Sequence, residues 1–427
     1  MATLLMVEGW LRSTGLCLPP LIRERGHRYV LFTQDPALYP AAHSGEPHPV
    51  IDRADEIVRV DTNDLDAVTA AALDLAERLP IDGVLTTCDY YLETAAVIAA
   101  RLGLPGAPPE VMHRATRKHL VRSAISEAGL ANPAFAVAAC WESSLAAAAT
   151  IGYPLVAKPV DLNAGTSVQR VDDEAGLKDA FWEITGVERN TRGQPLSRLL
   201  LLEELIEGPE FSVEAVTRGG ETTVIGITDK SITGPPAFVE SGHMFPARLT
   251  PAAAVTIEEF TRDALAAIGY THGLSHTELR LTPDGPRIIE INPRQAGGYI
   301  FDLVRLVTGS HPLELLVDLS LGKAPQIGSE RATATSAAVF FVMSPRPGTV
   351  IGVDGAAALD ADADVVRWHL PTPATAGYPR SNDAYLGHVL AVDATGGAAR
   401  ERAEAAVGSL RLRFADGSTA TPIGLPG

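Results

Sequence analysis

The sequence predicts a protein of the α/β and α+β class, with an N-terminal doubly wound α/β domain and a β-rich C-terminal domain. Three observations support this fold class. Over the first hundred residues, continuous apolar strands alternate with amphipathic helices, which is typical of a parallel sheet covered by helices. In the middle of the chain, a Pro-Asp-Gly turn at 283–285 separates two strands of a hairpin. From residue 332 onwards, the pattern is again mostly that of strands.

The elements of the N-terminal domain follow from apolar runs and from the residues that interrupt them. The first helix ends at Gly26, and the Gly/Pro-rich stretch 103–109 predicts a linker. Before this linker we expect strands at 4–7, 29–33, 57–60 and 84–87, and helices at 16–25, 65–78 and 91–102.

The elements after the linker are predicted in the same way. A helix rich in basic residues is expected at 114–128, and the Ala/Asp-rich stretch 356–364 is expected to be a loop. Strands at 210–216 and 224–228 are expected to pair. Further strands are expected from 132–133 onwards and at 155–158 and 199–204, and helices at 142–151, 251–268, 303–308, 312–321 and 398–409.

Length and charge limit the classes of partner. A chain of 427 residues corresponds to about three domains of ordinary size, and its hydrophobic fraction of 46% is ample for large cores. The net charge of −17 argues against a nucleic acid or an anionic membrane surface as partner. Glu8 interrupts the first apolar run, which therefore predicts a buried strand, not a signal peptide. No apolar stretch has the length of a membrane span, so we expect a cytoplasmic protein.

The three cysteines, Cys17, Cys88 and Cys140, are odd in number and far apart in the sequence. Their spacing matches neither a zinc site nor a disulfide framework. Buried, reduced thiols of a cytosolic protein are the expectation that fits best.

The hairpin around the Pro-Asp-Gly turn carries the most informative polar residues. Glu278 and Glu290 would lie on neighbouring strands and point at one spot, and Asn292 faces the same side as Glu290 because side chains alternate along a strand. Two carboxylates and an amide oxygen are hard ligands that suit Mg²⁺ or Mn²⁺. Arg294 continues the alternation and would place a fixed cation beside the metals. This set is suited to holding ATP phosphates and transferring one of them.

Two segments before the hairpin would complete a nucleotide site. Lys158 ends an apolar strand and is followed by the small-residue loop 161–168, whose backbone N–H groups would bind phosphate oxygens. The connection at 203–206 would offer backbone groups to adenine, and Glu210 would offer a carboxylate to a ribose. Taken singly, an ordinary hairpin loop and a solvated acidic turn explain these segments as well.

In their order along the chain, these segments resemble the ATP-grasp superfamily over roughly residues 114 to 321. The resemblance implies an N-terminal α/β domain followed by two lobes that grip ATP between them. It divides the chain into an N-terminal domain at 1–107, a small lobe at 108–202, a large lobe with the metal site at 203–325 and a C-terminal α+β closing domain at 326–427.

The same resemblance implies the roles of individual residues. ATP and two Mg²⁺ ions would be the cofactors, with Mn²⁺ as a substitute metal. Lys158, Glu290 and Arg294 would be catalytic. The nucleotide would be bound by Lys118, Lys158, Gly165, Thr166, Ser167, Glu203, Glu204, Leu205, Ile206, Glu210 and Lys230, and the metals by Glu278, Glu290 and Asn292.

Three further features resemble the L-amino-acid ligases that form dipeptides. They are the segment 230–246, the residue His276 together with the run 294–298, and the C-terminal run 382–397. The resemblance implies that Glu240 and His243 face the amino end of the first amino acid. It places Arg294 and Gly297 at the activated carboxyl and the second substrate. The full set of substrate residues implied is Glu240, His243, His276, Arg294, Gly297 and Gly298.

These resemblances imply an ATP-dependent ligase that joins two small molecules. An amino acid would be activated as an acyl phosphate and then attacked by an amine. Three alternatives stay open: a ligase whose acid or amine is not an amino acid, a carboxylase-type relative that uses bicarbonate, and a catalytically silent nucleotide-binding subunit. A dehydrogenase is disfavoured because no Gly-x-Gly-x-x-Gly run follows the first strand. A homodimer is suggested by the resemblance alone.

Overall fold

The computed structural model describes residues 1–41, 45–233, 238–328 and 330–423. Residues 234–237 of the segment 230–246, and residues 329 and 424–427 of the expected C-terminal domain, therefore lie outside the described residues. Within the described ranges the chain forms four β-sheets and the helices that cover them. None of the helices described there is long and apolar enough to cross a membrane.

The first hundred residues form a parallel sheet with helices on both faces, as the sequence predicts. Alternate residues of the first strand pack against the third and fourth helices on one face and against the first helix on the other. The last strand ends at Leu85 because Thr86 turns the chain, its hydroxyl accepting a hydrogen bond from the amide of Cys88 at 3.0 Å. The elements are β1 (Thr3–Val7), α1 (Thr14–Glu24), β2 (Arg28–Thr33), α2 (Pro49–Asp52), β3 (Glu56–Arg59), α3 (Leu65–Arg78), β4 (Gly83–Leu85) and α4 (Leu92–Arg101), and the strand order is β3-β2-β1-β4.

The next hundred residues form an antiparallel sheet of four strands. Its elements are α5 (Pro109–Ala115), α6 (Lys118–Glu127), β5 (Phe135–Ala138), α7 (Trp141–Ile151), β6 (Leu155–Pro159), β7 (Gln169–Val171), α8 (Glu174–Gly186) and β8 (Leu200–Glu204), and the strand order is β5-β8-β6-β7. Helix α8 was not expected from the sequence.

The single helix expected at 114–128 is wrong, because the chain breaks into α5 and α6 there. Arg117 has an extended backbone between them, with φ −118° and ψ 106°. The amide of Lys118 donates to the carbonyl of Val160 at 3.1 Å and not to the preceding turn. This break places Lys118 at the first position of α6, beside the end of β6.

The remaining residues build one large sheet and one small sheet. They comprise β9 (Glu210–Arg218), β10 (Glu221–Ile232), β11 (Glu240–Phe245), α9 (Pro251–Ala267), β12 (His272–Thr282), β13 (Gly285–Asn292), α10 (Ile300–Thr308), α11 (Pro312–Ser320), β14 (Ser336–Val342), β15 (Gly348–Asp354), α12 (Ala356–Ala361), β16 (Val365–His369), β17 (Ala374–Ala376), β18 (Gly387–Asp393), α13 (Ala399–Gly408), β19 (Arg411–Phe414) and β20 (Thr419–Ala420). The large sheet has the order β13-β12-β9-β10-β11-β14-β18-β16, and the small one β17-β15-β19-β20. Strands of the expected large lobe and of the expected closing domain thus share one sheet.

Three sequence-based expectations for this half can be compared directly. The hairpin is confirmed, because β12 and β13 are antiparallel and Glu278 lies directly opposite Glu290. The pairing of β9 with β10 is also confirmed. The loop expected at 356–364 is wrong, since α12 occupies its first two-thirds and buries Leu359 in the C-terminal core.

The cysteines are all free, but only Cys88 is fully buried. Cys17 is half-buried, and Cys140 is exposed at the start of α7, where its Sγ lies 3.3 Å from the hydroxyl of Ser143. The expectation of buried thiols therefore fails for Cys140, which serves as a helix cap.

Phe340 on β14 tests how far the C-terminal core supports the large sheet. Its ring is fully buried beside Gly242 of β11. We expect Phe340→Ala to lower the free energy of unfolding by about 3–5 kcal/mol, because the deletion leaves a cavity. Thermal unfolding followed by circular dichroism measures the effect. Val366→Ala, at a side chain that is 49% exposed, is the control that should leave the melting temperature nearly unchanged. Equal melting temperatures for both variants would contradict the contribution of Phe340 to the core.

Candidate active site

The first part of the site is a buried ion-pair cluster at the ends of β6 and β8. The carboxylate of Glu203 accepts from Lys158 Nζ and Arg122 Nε, each at 2.7 Å. Arg122 also donates to the carbonyl of Ile289 in the hairpin, at 2.8 Å. Burial alone would raise the pKa of Glu203, but Arg122 and Lys158 lower it below its ordinary value. Through Arg122, the cluster joins the sheet β5-β8-β6-β7 to the hairpin.

The second part is the loop 161–168, which lies over the hairpin. Its residues Ala164, Gly165 and Ser167 have positive φ angles between 55° and 68°, and the amide of Thr166 donates to the carbonyl of Asn163. Lys118 donates to the carbonyl of Leu162 and also lies 3.0 Å from Glu290 Oε1. The loop predicted to bind phosphate is therefore held beside the predicted metal carboxylate.

The third part surrounds Lys230 on β10. The strand ladders place Lys230 opposite Glu210 on one side and opposite His243 on the other. Its Nζ lies 2.6 Å from Glu240, 2.7 Å from Glu278 and 3.7 Å from Glu210. Although burial opposes it, these carboxylates raise the pKa of Lys230 well above its ordinary value. Lys230 is thus a fixed cation among carboxylates.

His276 connects this cluster to a carboxylate that the sequence did not point to. Its Nδ1 lies 2.9 Å from Glu214 Oε1 and its Nε2 lies 3.0 Å from Glu278 Oε1. Burial by itself lowers the pKa of His276, but Glu214 and Glu278 raise it to about 9. The imidazolium therefore bridges the two carboxylates and orients Glu278.

The residues predicted for adenine and ribose follow β8. Glu203 is in the ion-pair cluster, whereas Glu204 is exposed, and its carboxylate accepts from the amide of Ala134 at 3.1 Å. Leu205 and Ile206 follow, and the carbonyl of Ile206 accepts from Arg280 at 2.6 Å. The same Arg280 lies 3.0 Å from the carboxylate of Glu210, which is therefore paired and buried.

Arg294 lies at the end of the hairpin and is held by the N-terminal domain. Its Nε donates to Asp89, whose other oxygen accepts from the indole of Trp10 at 2.8 Å. Its Nη2 lies 3.4 Å from the amide oxygen of Asn292. A cleft opens here, and its lining includes Asp89, Lys118, Glu290 and Asn292.

The segment after Arg294 reaches the third part of the site. Gly298 has a φ of 56°, and a Cβ there would lie 2.8 Å from His243 Nε2. A Cβ at Gly297 would meet no atom within 4 Å beyond its chain neighbours. Glu240 Oε2 lies 3.3 Å from His243 Nε2, and the ring of Phe341 packs edge-on against His243 at 5.5 Å. Of the predicted substrate residues, Glu240, His243 and Gly298 therefore lie together, and His276 is linked to Glu240 through Glu278 and Lys230. Arg294 is held apart from them at Asp89.

Sequence reasoning missed Asp89, Arg122 and Glu214. Each acts through a partner that is far away in the sequence, so no local pattern marks it. For Arg122 the signal is its burial, which only the structure shows. A fully buried arginine needs a carboxylate partner.

The donor chemistry at the hairpin fits a divalent metal. Glu278, Glu290 and Asn292 offer only oxygen ligands, the kind that Mg²⁺ prefers. Glu278 and Glu290 are direct cross-strand neighbours, and His276 lies directly opposite Asn292. Both carboxylates are paired with lysines, so a metal would compete with Lys118 and Lys230 for them.

Family comparisons agree with this architecture. The model described as an ATP-grasp domain matches residues 151–302, and the one described as an ATP-grasp N-terminal domain matches residues 21–106. The model described as L-amino acid ligase C-terminal domain 2 matches residues 340–415. The chain has the ATP-grasp fold.

Individual proteins resemble this ATP-grasp chain over different lengths. The uncharacterised protein y4rH of Sinorhizobium fredii (strain NBRC 101917 / NGR234) is 29% identical over 395 residues, covering 91% of this chain and 78% of its own. The alanine–anticapsin ligase of Bacillus subtilis (strain 168) is 27% identical over 266 residues, covering 58% of this chain and 56% of its own. The crystal structure of an L-amino acid ligase from Bacillus licheniformis superposes with a TM-score of 0.79 at 24% identity, covering 97% of this chain and 99% of that one.

These matches confirm three predictions: the ATP-grasp fold, the resemblance to the L-amino acid ligases and the class of ATP-dependent ligases. The structural likeness, at 24% identity, concerns the fold only. This ATP-grasp chain spans about half the length of the alanine–anticapsin ligase, so its reaction and substrates are taken up as proposals.

The pKa of His276 gives a pH dependence of stability with a definite sign. The folded pKa of about 9 lies above the ordinary value of 6.5, so the contribution of His276 is complete below pH 6.5 and is lost as the pH rises through 9. We expect the melting temperature of the wild type to fall as the pH rises from 6.5 through 9. In His276→Gln the fall should be smaller, because the contribution of the histidine is absent at every pH. His113→Gln, at an exposed histidine, is the control. A pH profile of melting that is the same in wild type and His276→Gln would contradict the bridge.

Proposed function

We propose that this protein is an ATP-dependent ligase that forms an amide bond between the carboxylate of an amino acid and an amine. One observation carries the proposal. The hairpin that bears Glu278 and Glu290 continues through Arg294 directly to Gly298, which abuts the pair Glu240–His243. A phosphate-transfer set and a carboxylate suited to an ammonium group therefore adjoin each other.

The proposed nucleotide site lies between the sheet β5-β8-β6-β7 and the hairpin of β12 and β13. Lys118 and Lys158 would contact the phosphates, and the loop with Gly165, Thr166 and Ser167 would cover them. The backbone at 204–206 would bind adenine and Glu210 would bind the ribose, which requires Glu210 to exchange one of its present partners. Glu278, Glu290 and Asn292 would hold Mg²⁺, which neutralises phosphate charge when bound. Two ions, and Mn²⁺ as a substitute, are part of the proposal.

The proposed reaction has two steps. The carboxylate of the amino acid attacks the γ-phosphorus of ATP, which gives an acyl phosphate and ADP. The amine of the second substrate then attacks the acyl carbon, phosphate leaves, and the ammonium proton is lost. Arg294 would stabilise the negative charge that develops at the carboxyl. Closure of the loop 161–168 would exclude water, which otherwise hydrolyses the acyl phosphate.

The decisive experiment measures ADP release from Mg²⁺-ATP with single amino acids and with pairs, together with mass spectrometry of the products. A signal that requires a pair, and a product mass equal to both substrates less water, is expected. If ADP is released only with another acid or amine, or with bicarbonate, the protein transfers a phosphoryl group, but its substrate is not an amino acid. Silence across the panel would favour a nucleotide-binding subunit.

Glu290 and Arg294 provide the matched test of the site. We expect Glu290→Ala and Arg294→Ala to lower the rate of ADP formation by at least about 100-fold, because each removes a charge aimed at the phosphates or the carboxyl. Circular dichroism should show an intact fold. Glu401→Ala and Arg413→Ala, at side chains 55% and 50% exposed, are the controls and should keep full activity. Wild-type rates in either site variant would contradict the proposal.

A further inference from the structure

A short turn of the C-terminal region touches two parts of the site at once. The turn Asn382–Ala384 is a single turn of 3-10 helix, capped by the hydroxyl of Ser381, and it leads through Tyr385 into β18. Strand β18 pairs with β14, and β14 pairs with β11. The turn is therefore anchored in the same sheet that carries Glu240.

The turn uses both backbone polar groups of Glu240. The amide of Glu240 donates to the side-chain oxygen of Asn382 at 3.2 Å. The hydroxyl of Tyr385 donates to the carbonyl of Glu240 at 2.9 Å. Glu240 is the first residue of β11, where the pairing with β10 is irregular, so the ladder alone does not fix its position. These two hydrogen bonds hold the backbone of Glu240, from which its carboxylate reaches Lys230 and His243.

Asn382 also holds the loop 161–168. The amide of Asn382 donates to the carbonyl of Ala164 at 3.2 Å, and Ala164 has a φ of 55°. On the opposite side, the hydroxyl of Tyr90 lies 3.2 Å from the side-chain oxygen of Asn163. The loop is thus tied to the C-terminal region by one bond and to the N-terminal domain by another.

We propose that Asn382 and Tyr385 are positioning residues that couple closure of the loop 161–168 to the amino acid site at Glu240. The part of this proposal that concerns the amino acid rests on the proposed function. When the loop opens, the bond from Asn382 to Ala164 breaks and the turn loses a contact. When an ammonium group occupies Glu240, the turn is held in the position that accepts the closed loop.

Such coupling is reciprocal, because a ligand that favours the closed state raises the affinity of the other ligand by the same factor. It also has a chemical purpose. A loop that closes best when the amino acid is present completes the phosphate site and excludes water from it only once an acceptor carboxylate is in place. The enzyme would then cleave little ATP without its amino acid.

Three substitutions remove the hydrogen bonds of Asn382 and Tyr385 in different combinations. Asn382→Ala removes the bond to Glu240 and keeps the amide that holds Ala164. Asn382→Pro removes both, and proline suits this position because it is the first residue of the turn and follows Ser381, whose backbone is extended at φ −158° and ψ 171°. Tyr385→Phe removes only the bond to the Glu240 carbonyl. The matched controls are Glu174→Pro, at the first position of α8 after the equally extended Asp173, and Tyr378→Phe, at an exposed tyrosine.

The first measurement needs no amino acid. The dissociation constant of Mg²⁺ with the non-hydrolysable analogue AMP-PNP is measured by calorimetry for each variant, after circular dichroism has shown a native fold. Asn382→Pro should bind roughly three- to tenfold more weakly than Asn382→Ala, the effect of one hydrogen bond. Asn382→Ala and the controls should bind like the wild type. Equal constants for Asn382→Pro and Asn382→Ala would overturn the role of the loop bond.

The second measurement adds the amino acid that supports ADP release in the substrate panel. It should tighten binding of AMP-PNP to the wild type and to both controls. In Asn382→Ala and Tyr385→Phe the KM of this amino acid should rise roughly three- to tenfold, and its effect on AMP-PNP binding should shrink towards none. An unchanged effect in these variants would overturn the coupling. A wild type that releases no ADP with any amino acid would overturn the proposed function, while the first measurement would still decide the loop bond.

Discussion

The buried ammonium of Lys230 is the constraint on which the arrangement of the large sheet depends. A charge taken out of water is stabilised only where carboxylates and hydrogen bonds replace its hydration. The partners of Lys230 come from three different strands: Glu210 from β9, Glu240 from β11 and Glu278 from β12. The register of these strands around β10 is therefore fixed by charge as well as by the backbone ladder, because a slip of one residue would turn a carboxylate to the opposite face.

The same cluster has more carboxylates than cations. Lys230, Arg280 and the imidazolium of His276 face four carboxylates, those of the buried Glu210 and Glu214 and of the partly buried Glu240 and Glu278. An excess of negative charge attracts cations, and both a divalent metal and the ammonium group of an amino acid are cations. The proposed ligands therefore supply the charge that the cluster lacks. Because Lys230 already contacts both Glu240 and Glu278, the two ligands would sense each other through it.

The sequence predicted the parts of the site that are local. Glu278, Glu290 and Asn292 were found because a tight turn joins their strands and alternation fixes their faces. Asp89, Glu214 and the turn at Asn382 were not found as partners, because they meet the site through tertiary contacts that no spacing encodes. The helix at Ala356–Ala361 was mistaken for a loop because its small and acidic residues have little amphipathic pattern, and it is the packing of Leu359 that fixes it.

Different parts of the chain supply the proposed nucleotide site and the contacts around Glu240. Apart from Lys118 on α6, the residues proposed to bind the nucleotide and the metals lie within the stretch 151–302 that the ATP-grasp domain model matches. The groups that adjoin Glu240 and His243 include Phe341, Asn382 and Tyr385, all within the stretch matched by the C-terminal model of the L-amino acid ligases. Phosphoryl transfer makes the same demands on any carboxylate, whereas the second half of a ligase must recognise its own substrate. A C-terminal region that positions the carboxylate proposed to face the substrate is therefore where this chain would differ from relatives that share its proposed nucleotide site.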